Sequence, residues 1–228
     1  MVNIKEMSSW IRNFTDWVRP FYQATFGVSC VHCREEIAGH YLPLCPECAS
    51  ELPHLLRPIR LDSPYVKGAW CMGPYRSPMG SLVRRGKYAN HLGIFEKMGE
   101  VLAGAALDLP AIDAVISIPL PNNRLRSRGF NQSWVLANSV AGFLALPQYQ
   151  ILYRVDGSEQ ASKTLLERGD ILTGRFEVRP HFESGFSPQR VLLVDDVITT
   201  GSTAESCALE LLNLGVEEVY VLALVSGR

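Results

Sequence analysis

The sequence predicts an α/β protein, a parallel sheet with helices on both faces, preceded by a small metal-binding module. Three observations predict it. Short apolar runs at 114–119, 191–194 and 219–225 alternate with helical stretches of ten or more residues, the pattern of strand-helix-strand units. Polar, glycine-containing loops follow the first two runs, where ligands sit in such sheets. Two Cys-x2-Cys pairs stand ahead of them all. At 228 residues, 47% hydrophobic and 20% charged, the chain can bury one substantial core plus a satellite, which excludes a disordered tail. A net charge of −1 argues against a generally basic, nucleic-acid-coating surface. No run approaches the roughly 18 apolar residues of a membrane span, and 1–20 lack the apolar centre of a signal peptide, so a cytoplasmic protein with no membrane span is expected.

The elements follow in chain order. Trp10, Ile11, Phe14, Trp17, Val18 and Phe21 recur every three or four residues, an amphipathic helix that stops at Pro20. Its stripe packs on the core or on a second subunit, or docks on a membrane surface or partner; Lys5, Arg12 and Arg19 offset by Glu6 and Asp16 weigh against the membrane. Cys30-Val-His-Cys33 and Cys45-Pro-Glu-Cys48 lie eleven residues apart, a spacing that wraps four thiolates around Zn²⁺ at about 2.3 Å per bond. The alternatives are a disulfide pair, poorly suited to a reducing cytosol, and a redox Cys-x2-Cys, which needs only one such pair. His32 and His40 lie within the span as substitute ligands, while Cys71 and Cys207 read as small buried hydrophobes. Pro53, Pro58 and Pro64 mark a linker, so the boundary is expected near residue 60, with the helix and metal module at 1–60 and the sheet domain at 61–228.

The segment 75–88 ends in Arg84-Arg85-Gly86-Lys87-Tyr88, either basic residues flanking a helix or a cation brought to the site. A helix is expected over 95–107 and a strand over 114–119. In the loop that follows, Arg124, Arg126 and Arg128 alternate before Gly129, which makes a one-sided fork if the segment is extended. Arginine suits pyrophosphate because its planar fork donates two hydrogen bonds to adjacent oxygens, and Gly129 permits close approach. The alternative is a solvated basic loop. A helix over 133–146 leads on to the strand at 191–194, then Asp195 and Asp196. Thr199-Thr200-Gly201-Ser202-Thr203 enters a helix that ends at Gly215, so N–H groups and hydroxyls converge at a helix N-terminus as a phosphate cup. The two aspartates repel phosphate and need hydroxyls or a hydrated cation, unless they merely cap the helix. A ligand with a monophosphate, a diol and a Mg²⁺-bound polyphosphate satisfies both halves, and phosphoribosyl pyrophosphate (PRPP) has that layout.

At this point 191–203 (VLLVDDVITTGST) resembles the PRPP motif of the type I phosphoribosyltransferases, a Rossmann-like fold. That resemblance implies that Asp195 and Asp196 hold the ribose 2′- and 3′-hydroxyls, and that Thr199, Thr200, Gly201, Ser202 and Thr203 bind the 5′-phosphate. Arg128-Gly-Phe-Asn-Gln-Ser133 is similar to the signature of the ComF/GntX family, whose members place a four-cysteine zinc module before such a domain, as Cys30, Cys33, Cys45 and Cys48 do here. The family is named for competence, the uptake of DNA, and for a suggested role in gluconate utilisation. It implies a Lys-aromatic segment at Lys87-Tyr88, and a closing loop at 160–176 where Lys163, Arg168 and Arg175 meet the pyrophosphate. There Asp170-Ile171-Leu172 departs from the Arg-Asn-Leu run of the family. The implied reaction displaces pyrophosphate from ribose C1 by a nitrogen acceptor, with Mg²⁺, Asp195, Asp196, Arg124, Arg126 and Arg128 in the chemistry. The metal module would form the acceptor's hood. The other readings are a PRPP or nucleotide sensor without turnover, and an interaction protein of the uptake machinery that grips a helicase or single-stranded DNA. A homodimer, common among the type I enzymes, would cover the Trp10 stripe.

Overall fold

A computed structural model of the chain describes residues 28–37, 43–88, 91–155, 175–182 and 186–227. The helix expected around Trp10 to Phe21, His40, Lys163, Arg168 and Asp170 lie outside the described residues. The chain divides into two compact units, Met1–Leu52 and Pro53–Arg228. In the first, β1 (Val28–Ser29) and β2 (Glu36–Ile37) pair antiparallel, and a short helix α1 (Pro46–Ser50) follows, with Cys45 as its N-cap and Pro46 at its first position. Proline suits that position because its missing N–H has no helical partner to lose.

The second unit is built on a six-stranded sheet. In spatial order its strands are β3 (Arg57–Pro58), β4 (Gly68–Pro74), β10 (Glu218–Ser226), β9 (Arg190–Ile198), β5 (Ala114–Ser117) and β6 (Gln148–Tyr149). Every pairing is parallel except β3 with β4. Pro58 therefore stands in an edge strand rather than in a linker, one of the few sheet positions a proline tolerates.

Among the described residues, five helices accompany the sheet: α2 (Pro78–Tyr88), α3 (Leu92–Ala105), α4 (Asn122–Arg128), α5 (Gln132–Leu144) and α6 (Ser202–Asn213). Strand alternation sorts the core into two layers. Val191, Leu193, Val219, Val221 and Ala223 face one side, in a cluster with Cys207, Ala208 and Leu211 of α6. Leu192, Val194, Leu222 and Leu224, also buried, alternate with them, and α5 packs on β9 and β5 with α3 against it. Cys71 and Cys207 are buried in the α6-side cluster, as small hydrophobes. A separate antiparallel ribbon, β7 (Leu152–Val155) and β8 (Arg175–Val178), brings Val155 opposite Arg175.

A candidate ligand site at the carboxyl ends of strands 9 and 5

The apolar run at 191–194 suggests a strand that ends before the two aspartates, but β9 continues to Ile198 because β10 runs alongside it, pairing Ala223 with Asp195 and Val225 with Val197. Asp195 and Asp196 are thus strand residues whose side chains leave on opposite faces. Asp196 is 3% exposed and Asp195 half-buried. The first turn of α5 meets them: Ser133 Oγ donates to Asp195 Oδ1 at 2.8 Å, and Gln132 Nε2 donates to Asp196 Oδ1 at 3.4 Å. From α2, Lys87 Nζ lies 2.5 Å from Asp196 Oδ2. Burial, and then the neighbouring charge of Asp196, push the Asp195 carboxyl up to about 7. Ser133, the Asp196 N–H and Lys87 work against that rise.

The arginine segment is helical rather than extended, which changes its fork. On α4, Arg124 and Arg128 are four residues apart and share a face, whereas Arg126 turns away from them. Gly129 caps the helix at φ +79°, a left-handed conformation that glycine adopts without penalty, and its N–H donates to Leu125 O at 2.8 Å. Phe130 packs edge-on against Phe95 with ring centres 5.9 Å apart. Asn131 is the N-cap of α5: its Oδ1 accepts from Ser133 N at 3.0 Å, and its Nδ2 donates to Ile118 O at 3.0 Å, beyond β5. Each residue of Arg128-Gly-Phe-Asn-Gln-Ser133 thereby has a structural task. Arg128 Nη1 donates to Gln132 Oε1 at 2.5 Å. Burial lowers the pKa of Arg128, the charge of Asp196 opposes this, and that of Arg124 adds to it.

Beyond β9, Thr199 and Thr200 are exposed, and Gly201 is the N-cap of α6 at φ +93°. Thr200 Oγ1 and Ser202 Oγ stand 3.0 Å apart, and Ser202 N donates to Thr200 Oγ1 at 3.4 Å. A Cβ at position 201 would lie 2.9 Å from Leu61 Cδ2, so Leu61 closes over the glycine. A helix N-terminus lined by hydroxyls is suited to an anion.

In the first unit, the sulfurs of Cys30, Cys33, Cys45 and Cys48 lie within 4.8 Å of one another, and none is in a disulfide. Cys33 Sγ and Cys45 Sγ are 3.6 Å apart, near the roughly 3.8 Å edge of a tetrahedron with 2.3 Å zinc-sulfur bonds. Arg34 takes φ +73° and its N–H donates to Cys30 O at 3.0 Å, which tightens the first knuckle. Burial resists ionisation at Cys30, yet backbone N–H groups of Cys33, Cys45 and His32 bring its thiol down to about 6. Burial and then the sulfurs of Cys45, Cys33 and Cys30 push Cys48 far up. Four thiolates cannot gather there without a cation, and the donor set fits a tetrahedral metal such as Zn²⁺.

This chain is 31% identical over 224 residues to competence protein F of Haemophilus influenzae, a match that spans 87% of this chain and 97% of that protein. The chain belongs to the competence protein F family. The chain is also 29% identical to DNA utilization protein YhgH of Salmonella typhi, over 79% of this chain and 83% of that protein. YhgH of Escherichia coli K12 is 26% identical over 79% of this chain and 83% of its own length. No family model matches the chain. Among solved structures, a glutamine PRPP amidotransferase from B. subtilis, complexed with ADP and GMP, aligns at a TM-score of 0.40 and 19% identity. That alignment covers 57% of this chain and 25% of the other, too distant a likeness to extend what the chain's own geometry says.

Within this competence protein F relative, the residues singled out in the sequence sort into three groups. Lys87 meets Asp196 directly and Arg128 meets it through Gln132, Asp195 bonds Ser133 beside them, and Thr199 to Thr203 follow directly along the chain. Arg124 shares the Arg128 face of α4 and Gly129 caps that helix, while Arg126 faces away from Arg124 and Arg128. Lys163 and Arg168 lie outside the described residues. The lysine-aromatic pair is part of α2 itself rather than a flank of it, and that is how Lys87 reaches Asp196. Gln132 and Ser133 stand in the signature run at 128–133 with no role of their own assigned from the sequence, and Leu61 is missed there. The signal for Gln132 and Ser133 is two adjacent polar residues, 2% and 1% exposed, at the start of a largely apolar helix.

Proposed function

We propose that this chain is a Mg²⁺-dependent, phosphoribosyltransferase-like protein that binds PRPP and transfers its ribose 5-phosphate to a nitrogen acceptor with release of pyrophosphate. The observation that carries this reading is the pairing, along one strand-to-helix passage, of two adjacent acceptor carboxylates with a hydroxyl-lined helix N-terminus. A phosphate at the start of α6 accepts from backbone N–H groups and from the hydroxyls of Thr199, Thr200, Ser202 and Thr203. The ribose hydroxyls donate to Asp195 and Asp196, for which a second phosphate would be repulsive. Mg²⁺ bound by the pyrophosphate would supply charge neutralisation there, while Arg128 and Arg124 donate from one face of α4 and Lys87 from α2. In the reaction the C1–O bond breaks with its electron pair leaving on pyrophosphate. The acceptor nitrogen supplies the pair for the new C1–N bond and then loses a proton.

Zinc at the four cysteines is the structural metal in this reading, the process served is competence, by the name of the Haemophilus relative, and the proposed setting is the cytoplasm. The replacement of Arg-Asn-Leu by Asp170-Ile171-Leu172 favours a second reading, a sensor that binds PRPP without turnover, because a carboxylate near pyrophosphate is repulsive. Calorimetric titration of Mg²⁺-PRPP into wild type and into Asp195→Asn/Asp196→Asn tests the binding. Wild type is expected to bind, and the double variant to lose at least tenfold, about 1.4 kcal/mol. A wild type that does not bind PRPP overturns both readings. Pyrophosphate release across a panel of nitrogen bases separates transferase from sensor.

A further inference from the structure

We infer that Gln132 is a positioning residue that locks the Arg128 guanidinium to the Asp196 carboxylate, so that the anion end and the diol end of the site are held at one spacing. For its ligand the inference rests on the PRPP reading; for the linkage it rests on side-chain geometry alone.

Gln132 is 2% exposed, in the first turn of α5. A buried amide is costly unless both its ends are paired. Both are: Oε1 accepts from Arg128 Nη1 at 2.5 Å, and Nε2 donates to Asp196 Oδ1 at 3.4 Å. The direction of the amide is forced, since a guanidinium only donates and an ionised carboxylate only accepts. A flipped amide would set NH₂ against guanidinium and oxygen against carboxylate. Lys87 occupies the other oxygen of Asp196, so Arg128, Gln132, Asp196 and Lys87 form one chain of contacts joining α4, α5, β9 and α2.

The chain of contacts matters most for α4. No residue of that helix is buried, so apolar packing does little to hold it. Arg128 is its last residue, next to the left-handed turn at Gly129, and a long guanidinium there is free to sample many rotamers unless something engages it. Gln132 is that engagement, and the bond to Arg128 is the shorter of its two. A guanidinium already directed at the strand ends meets pyrophosphate without first losing that freedom.

The test compares Gln132→Leu, which keeps the volume and loses both polar contacts, with Gln132→Glu, which keeps an acceptor for Arg128. In the ligand-free full chain, ¹⁵N relaxation at Arg128 Nε is expected to report an ordered side chain in wild type and Gln132→Glu, and loss of order in Gln132→Leu. A packing role alone would not distinguish the two variants. Arg128 equally ordered in Gln132→Leu overturns the inference; if that variant does not fold, Gln132→Ser, too short to reach Arg128, replaces it. In calorimetry with Mg²⁺-PRPP, Gln132→Leu is expected to bind about tenfold more weakly, and Arg128→Ala/Gln132→Leu no more weakly than Arg128→Ala. Additive losses overturn the coupling. If wild type does not bind PRPP, the functional reading falls, and the relaxation comparison by itself decides for or against the linkage.

Discussion

Asp195 carries its charge at a cost that the ligand-free protein bears alone. Its carboxyl is raised to about 7, first by burial and then by Asp196, so near neutral pH the folded chain holds a proton that the unfolded chain has released. The native state binds more protons than the unfolded state between the ordinary aspartate value and about 7. Stability contributed by this group is therefore greatest at the acid end of that window and declines as pH rises through it, by at most about 1.4 kcal/mol per pH unit. Urea unfolding between pH 4 and pH 7 measures the slope, and Asp195→Asn is expected to flatten it. At this scale the sequence was legible in part. Adjacent aspartates before a Thr-Thr-Gly run announce an unusual pair of charges, but the hydroxyl that holds Asp195 belongs to Ser133, 62 residues earlier.

Among the elements, the N-terminus of α6 depends on one glycine twice over. Gly201 sits at φ +93°, where a side chain is strained, and an added Cβ would lie 2.9 Å from Leu61 Cδ2. Gly201→Ala is expected to destabilise the protein by about 1–2 kcal/mol from the backbone conformation alone. Leu61→Ala in the same chain relieves the contact but leaves the backbone strain. Thermal unfolding of the two single variants and the double variant separates the terms: rescue of the alanine at 201 should be partial, and full rescue would mean that φ is unstrained there. The helix itself was legible in the sequence from the Thr-Thr-Gly-Ser-Thr run at its start and from Gly215 at its end. The arginine segment was not: alternation at 124, 126 and 128 reads as an extended fork, whereas the chain folds it into α4 and closes it with Gly129. Short polar helices carry little apolar periodicity, so spacing alone does not separate the two conformations.

As a whole molecule the chain is two units, and the four cysteines belong to the smaller one. Among its described residues that unit has two short strands and one five-residue helix, and a metal held by the four cysteines would staple these together. One equivalent of zinc is expected by elemental analysis. A strong chelator should melt the signals of residues around Cys30 to Cys48 while amide protection in β9 and β10 persists. Loss of both together would mean that the metal staples the sheet unit as well.

The sequence by itself determined the α/β class, the four-cysteine cluster, the hydroxyl-lined start of α6 and the acidic pair, because each is written in neighbouring residues through local periodicity, ligand spacing or turn chemistry. Tertiary structure alone decided which groups meet. Lys87, Gln132 and Asp196 converge only because α2, α5 and β9 pack together, and Gln132 and Asp196 lie 64 residues apart in the chain. Such meetings are set by the burial of apolar faces elsewhere on those helices and strands, so a residue's own sequence neighbourhood does not name its distant partner.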